Sequence, residues 1–157
     1  MMFVHIISKF SEQNSSQMDV VLLSPPHDFP PRPSIALSLF RQCLNEAGLK
    51  SQVFYPMFRL SHMMGIELCT KMEAYPYTLG LEEYIFSHMT DVPNGTTNEA
   101  YARFLSSEYP IHPFDEVLSM VNTGEKAARQ LIDEVAEEIA RIHPGVLAVS
   151  SIFSQIN

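Results

Sequence analysis

Three short stretches of the sequence are almost continuously apolar, and each is bounded by turn-forming residues. They are Asp19–Ser24, Ser51–Phe58 and Gly145–Phe153. A short apolar run without polar alternation is typical of a strand that is buried on both faces of a parallel sheet. Pro56 interrupts or ends the second run, because proline has no N–H to donate to a neighbouring strand. The pattern therefore predicts three parallel strands.

The residues between the first two strands follow the periodicity of an amphipathic helix. Its apolar positions are Ile35, Leu39, Phe40, Cys43, Leu44 and Ala47. Ser34 is placed to cap the start of this helix, and Gly48 its end. Strand, helix and strand form one crossover unit, which we expect to be right-handed.

Between residues 59 and 121 the pattern changes to short helical segments with no strand. One segment is rich in methionine and places Met64, Leu68 and Met72 on one face. We interpret this face as adaptable core packing rather than as a cofactor site. The segment is about fifty residues longer than a usual crossover, so we predict a helical insertion that serves a ligand or a partner.

Three further helices are predicted in and after this insertion. Thr96 and Glu99 have capping-box spacing for a helix that ends near Tyr109. A short helix fits residues 114–121, and a long amphipathic helix fits Glu125–Ile142.

These elements predict an α/β fold, an incomplete flavodoxin-like (Rossmann-like) three-layer sandwich with a parallel sheet of order 2-1-3. We assign residues 1–18 to an N-terminal extension and residues 19–157 to the partial domain. A strand at the carboxyl terminus leaves one sheet edge uncovered. We therefore expect the front part of a larger domain, and self-association through the exposed edge.

Charge and apolar content exclude several classes of partner. The net charge of −8 disfavours binding to a nucleic-acid backbone or an anionic membrane surface. No apolar run approaches the roughly 20 residues of a membrane span, and the short apolar start does not resemble a signal peptide. We expect a cytoplasmic protein in which Cys43 and Cys69 are reduced, buried thiols.

Motifs of stand-alone enzymes are absent from the sequence. It contains no phosphate-binding glycine loop, no His-Glu-x-x-His and no nucleophile elbow. Four histidines lack the spacing of metal ligands: His62, His88, His112 and His143. An independent flavodoxin-like enzyme is therefore the least favoured interpretation.

Three blocks resemble a known family: VLLSPPHDFPPRPSIALSLFRQCLNEAGLKSQVFY, LGLEEYIFSHM and GVLAVSSIFSQIN. They resemble the N-terminal region of radical S-adenosylmethionine enzymes with a cobalamin-binding-like domain. The subgroup that matures ribosomally made peptides, including bacteriocin-type precursors, is the most similar. The resemblance spans residues 19–157. It implies a flavodoxin-like cobalamin domain followed by a barrel whose iron–sulfur cluster cleaves S-adenosylmethionine. Many members are C-methyltransferases, within the wider class of Fe–S oxidoreductases.

The sequence departs from this family in two respects. It has no Cys-x-x-x-Cys-x-x-Cys motif to hold the cluster, so the Fe–S cluster and S-adenosylmethionine belong to a part that is missing here. Cobalamin domains that bind cobalt through histidine use Asp-x-His-x-x-Gly, whereas this chain has His27 followed by Asp28 and no glycine. We therefore predict no metal ligand in the chain.

The candidate cofactor-binding residues are Ser24, Pro25, His27, Ser150 and Ser151, all at the carboxyl ends of the first and third predicted strands. Doubly wound folds bind ligands at this rim. The resemblance implies that a hydroxyl here bonds the nucleotide tail of cobalamin. The same serines also suit ordinary strand ends, and the stiff proline loop suits either a cofactor wall or plain domain packing.

We therefore hypothesise an accessory domain that positions a cofactor or substrate and is not catalytic alone. Its parent would be a cobalamin-type radical S-adenosylmethionine oxidoreductase or methyltransferase. Cobalamin is the cofactor expected in the full-length parent, and the partners are the missing radical barrel and a precursor peptide. The alternative is a protein-interaction module that binds a precursor peptide and has lost cobalamin.

Overall fold

A computed structural model describes residues 3–8, 18–24, 33–87 and 95–151 of the chain. Its elements are, in order, β1 (Phe3–Ser8), β2 (Val20–Leu23), α1 (Ile35–Glu46), β3 (Ser51–Phe54), α2 (Pro56–Met64), α3 (Ile66–Glu73), a 3₁₀ turn (Tyr77–Leu79), α4 (Leu81–Ser87), α5 (Asn98–Glu108), α6 (Phe114–Ile142) and β4 (Val146–Ser151). The predicted α/β class is confirmed.

The sheet has the order β1-β4-β2-β3, with β2 between two parallel neighbours. Val20 lies opposite Ser51 of β3 and Val146 of β4. The three predicted strands therefore have the flavodoxin-like order 2-1-3, as expected.

The sheet edge beside β4 is paired, and the expectation that it is uncovered is wrong. Strand β1 lies antiparallel to β4, with Phe3 opposite Ser151 and Ser8 opposite Val146. Residues 3–8 are rich in β-branched and aromatic residues, so they readily supply the backbone partners that an open strand lacks. At the other edge, β3 is paired only with β2. Self-association through a sheet edge stays a prediction, and it now concerns β3.

The crossover from β2 to β3 follows the predicted capping. The Ser34 hydroxyl accepts a hydrogen bond from the Leu37 N–H, at 3.3 Å, at the start of α1. After the helix, Gly48 has a φ of 80°, a left-handed conformation that glycine adopts without a Cβ clash. Leu37 packs against Leu22 on one face of the sheet. Val21, which points to the opposite face of β2, is fully buried, so both faces of this strand are covered.

Strand β3 is shorter than predicted. It ends at Phe54, and Pro56 is the first residue of α2 rather than part of a strand. Proline suits the first turn of a helix, because the N–H that it lacks would have no partner there.

Contacts within the chain divide it into two units. The first comprises residues 1–59 and 133–157, and the second comprises residues 60–132. The second unit is helical and covers most of the segment predicted as an insertion at 59–121. Met64 and Met72 are buried within it, which agrees with the interpretation of the methionine face as core packing. None of the described helices combines the length and apolarity that a membrane span requires.

Helix α6 is a single helix of 29 residues, so the prediction of two separate helices here is wrong. Gly124 lies inside the helix, where a Cβ atom would stand 2.6 Å from Cδ1 of Ile85. The glycine therefore permits close packing against α4 rather than a break in the helix. The cap of α5 is also one residue later than predicted: the Thr97 hydroxyl accepts from the Ala100 N–H at 3.2 Å.

Candidate ligand-binding rim of the sheet

The carboxyl ends of β2 and β4 bring two of the predicted site residues together. Leu23 lies opposite Val149 in the parallel pairing, and Ser24 and Ser150 are the next residue on each strand. The Ser24 N–H donates to the Phe54 carbonyl at 3.0 Å, so the contact with β3 continues past the end of β2. Both serines are half-buried. The chain leaves β2 toward β3 on one side while β4 lies on the other, which is the switch point where doubly wound sheets bind ligands.

The two serines share a face of the sheet with Tyr55. Strand residues alternate between faces, so Ser24 follows Leu22, and Ser150 follows Ala148, on the face covered by α1. Tyr55 comes directly after β3 and packs against the same cluster. Tyr55, Ser24 and Ser150 therefore form a row across the three parallel strands, called here the hydroxyl row.

The start of α1 borders the hydroxyl row. The Tyr55 hydroxyl donates to the Ser34 carbonyl at 3.3 Å, which ties the end of β3 to the cap of the helix. No hydrogen bond from a described histidine, cysteine or carboxylate to the hydroxyl row is present in the structure. The row can hold a polar group by hydrogen bonds, and no described residue supplies a base that would activate a serine as a nucleophile.

Of the remaining predicted site residues, the structure describes Ser151, which is not part of the hydroxyl row. Pro25 and His27 lie outside the described residues. Ser151 ends β4, where its backbone lies opposite Phe3 of β1. Of the three candidates that the structure describes, Ser24 and Ser150 are therefore the pair that the fold places side by side.

A cleft that the sequence pattern does not reveal lies beside the hydroxyl row. It has a volume of about 370 Å³ between α1 and β3, and we call it the α1–β3 cleft. Its lining residues are Ser38, Arg41, Gln42, Asn45, Val53 and Tyr55. The sequence feature that could have indicated this cleft is the spacing of the polar residues on α1, since residues three and four apart share one helix face. Tyr55 belongs to both the cleft and the hydroxyl row.

Metal-binding groups are absent from the described part of the chain, which has no cluster of three or more histidine, cysteine or acidic side chains suited to an ion. The two cysteines are free. Cys69 is buried, and burial raises the pKa of its thiol, which keeps it protonated and unreactive. Cys43 is exposed, so the expectation that both thiols are buried is wrong for this residue.

Cobalamin fits this rim only in part. Hydroxyl groups at Ser24 and Ser150 suit the polar groups of a cofactor tail, since each hydroxyl both donates and accepts. They are not the imidazole that cobalamin domains with a histidine ligand provide, and no described residue at the rim supplies one. The rim is therefore suited to hold the organic part of such a group.

The start of α6 carries an ion-pair cluster in the second unit. Glu116 contacts the Lys71 ammonium at 2.7 Å and the Nδ1 atom of His112 at 3.5 Å. The hydrogen bond and charge of Lys71 lower the pKa of Glu116, and hydrogen bonds to Glu116 and Glu67 raise the pKa of Lys71. The cluster joins α3 to α6.

The Glu116 cluster predicts a pH dependence of stability. A carboxylate whose pKa is lower in the folded state stabilises above its unfolded pKa, near 4.5, and this contribution is lost as the pH falls through the folded value. We expect Glu116→Gln to lower the free energy of unfolding at pH 7. The difference in the free energy of unfolding between this variant and the wild type should shrink below about pH 4. Urea titrations at both pH values measure this. The exposed Glu137→Gln serves as control; a loss at Glu116 that does not depend on pH would contradict the prediction.

The rim thus has two adjoining parts, the hydroxyl row and the α1–β3 cleft, which share Tyr55. Comparison of the chain with protein-family models, with curated proteins and with solved structures finds no match in any of the three.

Proposed function

We propose that the chain is an accessory domain that positions a ligand, of the cobalamin-binding-like type, and that it has no catalytic activity alone. The observation that carries this proposal is the placement of Ser24 beside Ser150 at the carboxyl ends of neighbouring parallel strands. Two hydroxyls at a switch point offer fixed hydrogen-bonding groups to a polar ligand. The sequence resemblance supports cobalamin or a precursor peptide as that ligand.

A positioning role fits the chemistry of the rim better than a catalytic role. Within the described residues no base contacts the hydroxyl row, and the Tyr55 hydroxyl already donates to the Ser34 carbonyl at the α1 cap. Cobalamin, when bound, supplies a cobalt centre that carries a methyl group. In the proposed function this chain holds the ligand in the cytoplasm, beside a partner domain that carries the Fe–S cluster and S-adenosylmethionine. The whole assembly would act as an oxidoreductase or methyltransferase in peptide maturation.

A second candidate is a protein-interaction module without cobalamin. It is favoured by the outer surface of α1, where Ile35 is 78% exposed, Leu39 62% and Phe40 40%. Exposed apolar side chains grouped on one helix are typical of a surface that contacts another polypeptide. A precursor peptide is the partner proposed for this surface.

Binding of hydroxocobalamin separates the two candidates. We expect the wild-type chain to change the visible spectrum of hydroxocobalamin and to co-migrate with it on gel filtration. Ser24→Ala combined with Ser150→Ala should weaken binding about thirtyfold, because a net hydrogen bond contributes roughly 1 kcal/mol and two are removed. Ser107→Ala removes a hydroxyl from the exposed side of α5 and should leave the affinity unchanged.

Each other outcome contradicts a specific part of the proposal. Absence of binding by the wild type would reject the cofactor role and leave the interaction module. Binding that is equally strong in the double variant, with an unchanged circular-dichroism spectrum, would remove the hydroxyl row from the site.

A further inference from the structure

The α1–β3 cleft is walled almost entirely by hydrogen-bonding side chains. Four of its lining residues come from α1, at positions 38, 41, 42 and 45, while Val53 and Tyr55 form the β3 side. Its volume of about 370 Å³ is sufficient for a small polar group. The groups that are already paired within the protein determine what such a ligand must offer.

Arg41 keeps most of its donors free. Its Nε–H donates to the Ser51 carbonyl at 3.3 Å, which holds the guanidinium against the edge of β3. Its Nη1 and Nη2 atoms have no hydrogen bond or ion pair among the described residues. These atoms carry the paired N–H groups with which arginine binds a carboxylate or phosphate in a bidentate manner.

Asn45 adds a second free donor on the same helix face. Its Oδ1 atom accepts from the hydroxyl of Ser51, which is buried, at 2.7 Å. This hydrogen bond turns the oxygen of the amide toward β3 and leaves the Nδ2 atom without a recorded partner in the described chain. Arg41 and Asn45 are four residues apart, so both present unused N–H groups to one cleft.

The two hydroxyl groups of the cleft already donate their protons within the protein and can only accept from a ligand. The Ser38 and Tyr55 hydroxyls both donate to the Ser34 carbonyl. Among the described residues, the carboxylate of Glu46 accepts from Gln42 at 2.8 Å and forms no ion pair with Arg41. Within this part of the chain, the cleft therefore combines the unused N–H groups of Arg41 and Asn45 with a positive charge that no carboxylate contacts.

Some of the other described cations are paired with carboxylates. Arg59 contacts Glu134 and Glu138, and Arg129 contacts Glu125. In a chain with 18 acidic and 10 basic residues, acidic partners are plentiful. Arg41 is thus held in place by a neutral carbonyl while its charge faces the cleft.

We propose that the α1–β3 cleft binds an oxyanion, either a carboxylate or a phosphate group, on the free N–H groups of Arg41 and Asn45. The ligand lies in the cleft with its oxygens toward the guanidinium, which forms two parallel hydrogen bonds, and the Asn45 amide donates a third. This site extends beyond the proposed function, because it requires neither cobalamin nor the serines of the hydroxyl row.

Heteronuclear NMR on the ¹⁵N-labelled full chain tests this site with inorganic phosphate and, separately, with acetate. Ionic strength is held constant with chloride. We expect saturable shifts of the Arg41 Nε–H and Asn45 side-chain signals. Arg41→Gln should weaken binding about tenfold or more, since hydrogen bonds to a charged group are the strong ones. Arg41→Lys keeps the charge but loses the paired N–H groups of the guanidinium. Its affinity should therefore lie between those of the wild type and Arg41→Gln.

Arg141→Gln is the matched control, because it removes the same charge from an exposed position on α6. It should leave the affinity unchanged. Tighter binding of phosphate assigns the cleft to a phosphate group, and tighter binding of acetate assigns it to a carboxylate. Absence of saturable shifts with both anions would overturn the proposal. An equal weakening by Arg141→Gln and Arg41→Gln would overturn it as well.

Discussion

Replacing Leu22 with alanine is expected to lower the free energy of unfolding by about 3 kcal/mol, within the range of buried leucine truncations. Leu22 is fully buried on the central strand β2, where it packs against Leu37 and Ala148. The alanine leaves a cavity between the sheet and α1 that the flanking strands cannot fill without breaking their pairing. Urea unfolding followed by circular dichroism measures the loss.

Leu39→Ala is the control for this prediction, because the same atoms are removed from a side chain that is 62% exposed. We expect a change within about 0.5 kcal/mol, as for most surface substitutions. Equal losses at Leu22 and Leu39 would contradict the assignment of Leu22 to the core and of Leu39 to the outer face of α1.

Gly124→Ala is expected to destabilise the chain by about 1–2 kcal/mol, although alanine normally favours a helix. A Cβ atom at this position would stand 2.6 Å from Cδ1 and 3.2 Å from Cγ1 of Ile85. Overpacking of a buried contact costs about 1–3 kcal/mol, and the higher helix propensity of alanine offsets up to about 1 kcal/mol of it. Thermal or urea unfolding of the variant measures the net effect.

A double-mutant cycle isolates the cause of this loss. Ile85→Val deletes the Cδ1 atom and alone should cost about 1 kcal/mol. The double variant should be more stable than the sum of the two single losses predicts, by roughly 0.5 kcal/mol or more. Gly95→Ala is the matched control, since no atom lies within 4 Å of its added Cβ. Additive losses at Gly124 and Ile85 would show that the clash is not the cause.

The order of the parallel strands was predictable because each strand lies in a short, mostly apolar run and each crossover has one hand. The caps of α1 were predictable for a similar reason, since Ser34 and Gly48 act through local backbone geometry. The two larger errors arise where tertiary contacts decide. Gly124 resembles a helix break until Ile85 is packed against it, and β1 becomes a strand only through its pairing with β4.

In the candidate site, too, one part was predictable from the sequence and another depends on tertiary contacts. Ser24 and Ser150 could be placed together because they follow Leu23 and Val149, which lie opposite each other in adjacent parallel strands. The α1–β3 cleft could not be predicted in this way. It depends on contacts of Ser51 with Arg41 and Asn45, and these positions are brought together only when α1 packs beside β3.

The second unit, residues 60–132, begins within α2 and ends within α6. It therefore cannot be exchanged without cutting both helices. Excising it would leave Pro56–Arg59 as less than two helical turns, too short to persist as an isolated helix. The remnant of α6 would begin at Asp133 with a first turn of N–H groups that have no capping partner. Any chimera that exchanges this unit must therefore supply a new helix cap on that side of the junction.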